Sequence, residues 1–350
     1  MNLFLVAISV MALFVMSIVA SSKNSFSSTL KKYDWVLWAL FTLLVLIRDR
    51  GWDYELYREI YYSIRIDNLY AQWTEPGYLL LMLFGRSLYL SFDVFSFLIA
   101  AANMYFIKKV AEYFDVNPTI ALFFFVLFYY FRFPYGQVRQ SLSISLFLYS
   151  ITKIRSETGK YILLNAFAST IHVSALVAVP YFFVQKILNE RRYFYAVIPA
   201  IVVLSYLLVE IPVHDFLERA GIAAKYNYYV SLEDQSASII HSTQLPLIVV
   251  SIMAILIILQ HKNFTDRDID LFSAFLFGVL IFLVFSFNLR LADRIAAYFL
   301  IMSFIILAAL HKKLDKYLKI VFLMLVSLLG VVYLSKEFLM MQNQVLEYKW

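Results

Sequence analysis

Long apolar runs alternate with short polar ones along the whole chain. The run 120–130 carries no charged residue and four Phe, and runs of the same character occupy 193–209, 245–259, 269–287, 295–310 and 318–334. A helix rises about 1.5 Å per residue, so about 20 apolar residues cross a hydrocarbon core of about 30 Å. No water reaches the backbone there, and the strict alternation of a membrane barrel is missing, so the spans are helical. The pattern predicts an all-α polytopic membrane protein of roughly 10–12 membrane segments. They form a single integral membrane domain over 1–350. Residues 1–20 have no charged leading segment and read as a first membrane helix, not a cleaved signal peptide.

Two stretches break the pattern. Between Lys160 and Lys186 an apolar stretch has His172 in its middle. Each half is about 17–20 Å long as helix, too short to cross alone. A re-entrant hairpin of short helices with His172 at its apex fits this pattern, and one long helix is the alternative. The stretch 76–106 carries Arg86 and Asp93 inside what should be a single crossing, which predicts a broken or partly interfacial helix.

Composition narrows the class. The chain is 62% hydrophobic and 15% charged, against about a quarter charged in soluble domains. Its net charge of +6 is not a nucleic-acid signal, because the basic residues fall in short clusters between apolar runs. These clusters lie at Lys23/Lys31/Lys32, Lys108/Lys109, Lys153/Arg155/Lys160, Lys186/Arg191/Arg192, Lys262/Arg267 and Lys312/Lys313/Lys316/Lys319, and the positive-inside rule places all six in the cytoplasm. The segments 48–75 and 210–243 are acid-rich and poor in lysine, so they are expected to be extracytoplasmic, and both carry tyrosines, the first also Trp52 and Trp73. By parity 132–140 and 288–294 lie outside as well. With no cysteine, the chain has neither disulfides nor thiolate chemistry.

Ionisable residues at a membrane boundary are costly and mark candidate sites. Arg48, Asp49, Arg50, Asp53, Glu75, Arg132, Arg139, His172, Arg290, Asp293 and Arg294 come from helix ends far apart in sequence that packing could bring into one outward cavity. A guanidinium suits a diphosphate because its planar fork gives two hydrogen bonds and keeps its charge. Arg132 also reads as a residue snorkelling to lipid phosphate. Arg139 fits that description less well, because Gln137, Gln140 and Ser143 share its helix start. A histidine in a membrane segment is either a helix-packing group or, with a pKa near neutrality, a proton acceptor. Aromatic rings among carboxylates suit sugar binding and equally suit an interfacial belt. The phosphate-cradling glycine loop, H-E-x-x-H and G-x-S-x-G are all missing.

Arg50-Gly51-Trp52-Asp53 with Tyr57, then Glu75-Pro76-Gly77-Tyr78, then Arg139-Gln140, then His172-Val173-Ser174-Ala175-Leu176 form an ordered series. In that order and spacing the chain resembles the EpsG/Wzy-type polysaccharide (O-antigen) polymerases. The resemblance implies a GT-C-like, metal-independent glycosyltransferase of the cell inner (cytoplasmic) membrane that needs no cofactor. It would polymerise undecaprenyl-diphosphate-linked oligosaccharide repeat units at the outer face, alongside a flippase and a chain-length regulator of the same pathway. His172 and Asp53 become the catalytic candidates. Arg139, Arg290, Arg294, Arg48 and Arg50 become the diphosphate ligands, and Gln140, Glu75, Tyr57 and Tyr135 the substrate contacts. An O-antigen ligase, a membrane acyltransferase, and a flippase or exporter that makes no bond are the alternatives.

Overall fold

The apolar runs are helical in the computed structural model, which describes residues 3–22, 28–48, 53–66, 74–188, 190–208, 244–261, 264–286 and 289–347. The expected segment 210–243 and Arg50 lie outside the described residues. Every regular element described is a helix, as the sequence pattern predicts. Three helices are long and apolar enough to cross a membrane, at Phe92–Tyr113, Leu291–Lys313 and Lys316–Glu337. Shorter apolar helices accompany them at Ile8–Ser21, Asp34–Leu43, Pro118–Tyr130, Val173–Ile187 and Gln244–Leu259.

The chain divides into two units, residues 1–175 with 307–350, and residues 176–306. The first holds α1 (Leu3–Ser22), α2 (Ser28–Leu43), α3 (Tyr54–Ser63), α4 (Pro76–Ser87), α5 (Phe92–Tyr113), α6 (Pro118–Phe125), α7 (Val138–Ile151) and α8 (Thr158–Ile171). The second holds α9 (Ala178–Ile187), α10 (Arg191–Leu208), α11 (Gln244–Leu259), α12 (Asp266–Val284) and α13 (Leu289–Leu300). Then α14 (Ser303–Lys313) leads back to the first unit, which α15 (Lys316–Glu347) completes.

At the centre of the first unit is α6. Asn117 caps it by accepting from the Thr119 and Ile120 amides, and Pro118 supplies a preset φ at the first helical position. The helix widens into a π turn over Val126–Tyr130, and all residues from Thr119 to Phe131 are buried. Along α2, Asp34 accepts from the Thr119 hydroxyl, the Phe41 carbonyl from the Tyr130 hydroxyl at 2.5 Å, and Arg48 donates to the Tyr135 carbonyl at 2.6 Å. The partners advance together, so the two segments run parallel, and the Asp34 and Arg48 ends are separated by about 20 Å of helix. At the Asp34 end, Lys312 reaches Asp115 at 2.6 Å and Ser21 meets His311 at 2.8 Å. Lys312, of the cluster at 312–319, therefore stands at this end of the unit.

In α15, Val321, Met324, Leu325, Leu328, Val331 and Val332 are exposed, while Leu323, Val326 and Gly330 face the unit's interior. Apolar residues on both faces are what a bilayer-facing helix requires. The second unit centres on α12, which packs against α9, α10 and α13. Asp266 and Asp268 occupy its first turn beside a Thr265–Asp268 capping box.

Both expected breaks occur. The 76–106 stretch is split into α4 and α5 at 88–91, where Tyr89 takes a φ of 58° and Ser91 caps α5 by accepting from the Val94 amide. The 160–186 stretch is interrupted at His172, whose backbone is extended (φ −151°, ψ 116°), and a 3-10 turn over Val173–Val177 precedes α9. One unbroken helix is excluded.

Candidate functional site

Residues 48, 75, 135, 139 and 173 meet at the end of the first unit away from the Asp34 end. The amphipathic helix α3 builds one wall. Tyr54, Tyr57 and Tyr61 fall on one face by helical spacing and are buried, whereas Glu55, Arg58 and Glu59 are exposed. The buried face lies across the α4–α5 elbow. Tyr61 packs its ring on Phe92 and Phe95, at 5.6 and 5.1 Å between centroids. The Tyr54 hydroxyl donates to Asp93 at 2.6 Å, and Arg86 donates to the Ile64 carbonyl at 2.5 Å. These bonds account for the two charges that seemed out of place in the 76–106 stretch. Burial, and then the bond to Asp93, push the Tyr54 phenol up to about 12. Tyr57 is raised as well, chiefly by burial.

Arg139 stands at the start of α7, entered through the turn in which Gln137 donates to the Arg132 carbonyl at 2.8 Å. Its guanidinium forms an ion pair with Glu75 and lies 5.4 Å from the centroid of the Tyr57 ring. Tyr57 in turn meets Tyr78 edge to face at 5.4 Å. Asp53, at the N-cap of α3, contributes its charge to the field at Arg139, Tyr57 and Tyr78. Glu75 stands at the N-cap position of α4 but makes no capping bond with its side chain, which uses one oxygen for Arg139 and the other for the Val173 amide at 3.2 Å. Gly77 makes this closeness possible. A Cβ there would sit 2.7 Å from the Thr170 carbonyl oxygen, so only glycine lets α4 lie directly on α8.

Arg48 is the other fixed cation. Only 5% of it is exposed, its guanidinium lies 4.9 Å from the Tyr54 ring centroid, and its Nε is buried with no hydrogen-bond partner among the described residues. Tyr78 lies within the electrostatic reach of both Arg48 and Arg139.

His172 is 6% exposed, at the break after α8. Its Nδ1 accepts from the Ser174 amide at 3.4 Å, and its carbonyl accepts from the Ala175 amide at 3.0 Å. Gln140 and Tyr135 are buried, and Tyr135 contributes its backbone carbonyl to Arg48. Ser143, grouped with Arg139 from its spacing, donates to the Ala168 carbonyl of α8 at 2.9 Å. Arg294 lies on α13 in the second unit and is half-buried. Arg290 stands on the same helix, and its side chain is outside the described residues.

Sequence reasoning missed the partnership of Asp93 with Tyr54 and the burial of Arg48 among tyrosines, against the Tyr135 carbonyl. Neither leaves a local signal, because the partners are 39 and 87 residues apart.

No curated protein and no solved structure matches this chain. The model of the EpsG family matches residues 33–350, which include the whole of the site just described, and the chain belongs to that family.

Proposed function

We propose that this protein is a polysaccharide polymerase that joins undecaprenyl-diphosphate-linked oligosaccharide repeat units by glycosyl transfer at the outer face of the cytoplasmic membrane. The observation that carries the reading is Arg48, a buried guanidinium with an unpartnered Nε and no carboxylate bonded to it among the described residues. A buried cation without a counterion is expensive, and an anionic ligand offsets that cost. Arg139, stacked on Tyr57 beyond Tyr78, supplies the second cation that a diphosphate requires.

In the reaction, an acceptor hydroxyl attacks the anomeric carbon of the donor glycan. The bond from that carbon to the diphosphate oxygen breaks, and its electron pair leaves with undecaprenyl diphosphate. Arg48 and Arg139 hold the growing negative charge, and a preorganised donor of this kind is worth about 3 kcal/mol in the transition state. His172 takes the hydroxyl proton on Nδ1, the ring nitrogen that carries the lone pair, and gives up its bond from the Ser174 amide in doing so, with Asp53 as the other acceptor near the arginines. Arg50, Arg290 and Arg294 are carried in this scheme as further diphosphate candidates from the sequence, and Gln140, Glu75, Tyr57 and Tyr135 as candidates for the substrate side. The architecture is GT-C-like, of roughly 10–12 membrane segments with 48–75 and 210–243 outside, and the break at His172 is the apex of a re-entrant hairpin.

The test is turnover of purified protein in lipid nanodiscs with a defined lipid-diphosphate repeat unit, resolved on a gel. A ladder of products supports the polymerase. Transfer only to a lipid A core acceptor would identify a ligase, and lipid movement without any new bond would identify an exporter.

A further inference from the structure

Glu75 was grouped with the substrate contacts, yet both of its oxygens are engaged within the protein. One holds the guanidinium of Arg139 and the other accepts from the amide of Val173, 98 residues away at 3.2 Å. Val173 directly follows His172, whose ring accepts from the next amide, that of Ser174. The carboxylate therefore spans the two halves of the proposed chemistry, with the cation for the leaving diphosphate on one side and the turn carrying the proton acceptor on the other. Its own place is fixed from below. Pro76 starts α4 immediately after it, and Gly77 sets α4 against the Thr170 backbone at the end of α8. On the remaining side the Tyr57 ring lies against Arg139.

We propose that Glu75 is a positioning residue, which orients Arg139 and ties down the turn behind His172 so that both keep one geometry relative to the donor. The inference rests on the polymerase reading. The bridge needs an acceptor on each side. A glutamine supplies one oxygen where the carboxylate supplies two, so its amide NH2 must face either Arg139 or the Val173 amide and half of the bridge is lost. The charge itself opposes a diphosphate brought to Arg139. Loss of geometry at a reacting centre costs about a hundredfold in rate, whereas removing one repelling charge improves donor affinity by a smaller factor.

Two measurements on the full chain in nanodiscs test this. The first is polymer formation by Glu75→Gln and Glu75→Ala. Gln should keep kcat within about tenfold and lower the donor KM about threefold, whereas Ala should lose about a hundredfold or more in kcat. The second needs no activity. Because the chain has no cysteine, Ser174→Cys introduces a single thiol. Its labelling by a maleimide should be slow in the parent, faster with Glu75→Gln, whose single oxygen stays with the charged guanidinium and leaves the Val173 amide without its acceptor, and fastest with Glu75→Ala. Glu75→Gln as inactive as Glu75→Ala, alongside a parent that polymerises, would overturn the positioning role and make the carboxylate itself the working group. Equal labelling in all three backgrounds would overturn the tie to the turn. A parent that makes no bond at all would overturn the polymerase reading and the role of Glu75 within it. Glu75→Gln carries the test if Glu75→Ala does not fold, since rescue with a lowered KM is not what a purely structural carboxylate would give.

Discussion

Arg139 and Arg132 are seven residues apart and look alike in sequence, but they have different surroundings. Arg132 lies over the neighbouring Phe133 ring at 5.2 Å, while Arg139 is held by Glu75 and by Tyr57 from α3. Arg139→Lys keeps the charge and loses the planar fork, so polymer formation should fall well over tenfold, with Arg132→Lys mild in the same gel assay. Arg48→Met is expected to separate stability from activity. Replacing a buried cation that has no carboxylate bonded to it among the described residues by an apolar side chain of similar length should hold or raise the melting temperature in detergent, while polymer formation drops more than tenfold. His172 accepts from the Ser174 amide, which a glutamine oxygen could also do, so His172→Gln preserves packing but cannot take a proton near neutral pH. If His172 is the base, Gln and Ala variants should both lose about 10²–10⁴-fold in rate and accumulate single lipid-linked units. Near-parental polymer from His172→Gln would leave Asp53 as the acceptor.

Among the elements, α4 and α8 depend on a glycine in a way that α8 alone and α15 do not. At Gly77 an added Cβ meets the Thr170 backbone, at 2.7 Å from the oxygen and 2.8 Å from the carbon, and neither can turn aside. Gly77→Ala should cost about 1–3 kcal/mol by overpacking and shift Glu75 along with it. At Gly330 the obstacle is the Leu127 side chain at 2.8–3.0 Å, which has other rotamers, so Gly330→Ala should be milder. At Gly159 nothing lies within 4 Å, and Gly159→Ala should be neutral or slightly stabilising through helix propensity. Thermal melts of the three variants in one detergent would order them 77, 330, 159, and a large loss at 159 would contradict this account.

For the whole molecule, the parallel run of α2 and the α6 segment puts Asp34 and Thr119 at one end and Arg48 and Tyr135 at the other. The positive-inside rule then predicts which end faces outward. A thiol from Ser236→Cys, in the 210–243 segment, should react with an impermeant reagent in intact spheroplasts. One from Ser156→Cys, between Lys153 and Lys160, should react only after permeabilisation. The reverse pattern would put the arginines on the cytoplasmic side, where an outer-face polymerase has no use for them.

The sequence by itself determined the helical class and the places of apolar helices, because both depend on local quantities. Apolar content sets where a helix buries itself and charge ends it, so the helices at 120–130 and 318–334 were legible as they stand. It also marked His172 and the 76–106 stretch as breaks, since a histidine or an Arg/Asp pair inside an apolar run is locally anomalous. The tertiary structure decided which anomalies answer one another. Arg86 and Asp93 are partnered by α3 and its end, Glu75 joins Arg139 to the Val173 amide, and Tyr54, Tyr57 and Tyr61 are buried where α3 meets the α4–α5 elbow and Arg139. A charge's cost depends on what lies within a few ångströms of it, and here those neighbours are 22 to 98 residues away along the chain. Hydropathy and spacing do not reach that far, so the burial of Arg48 among tyrosines could emerge only once the helices had packed around it.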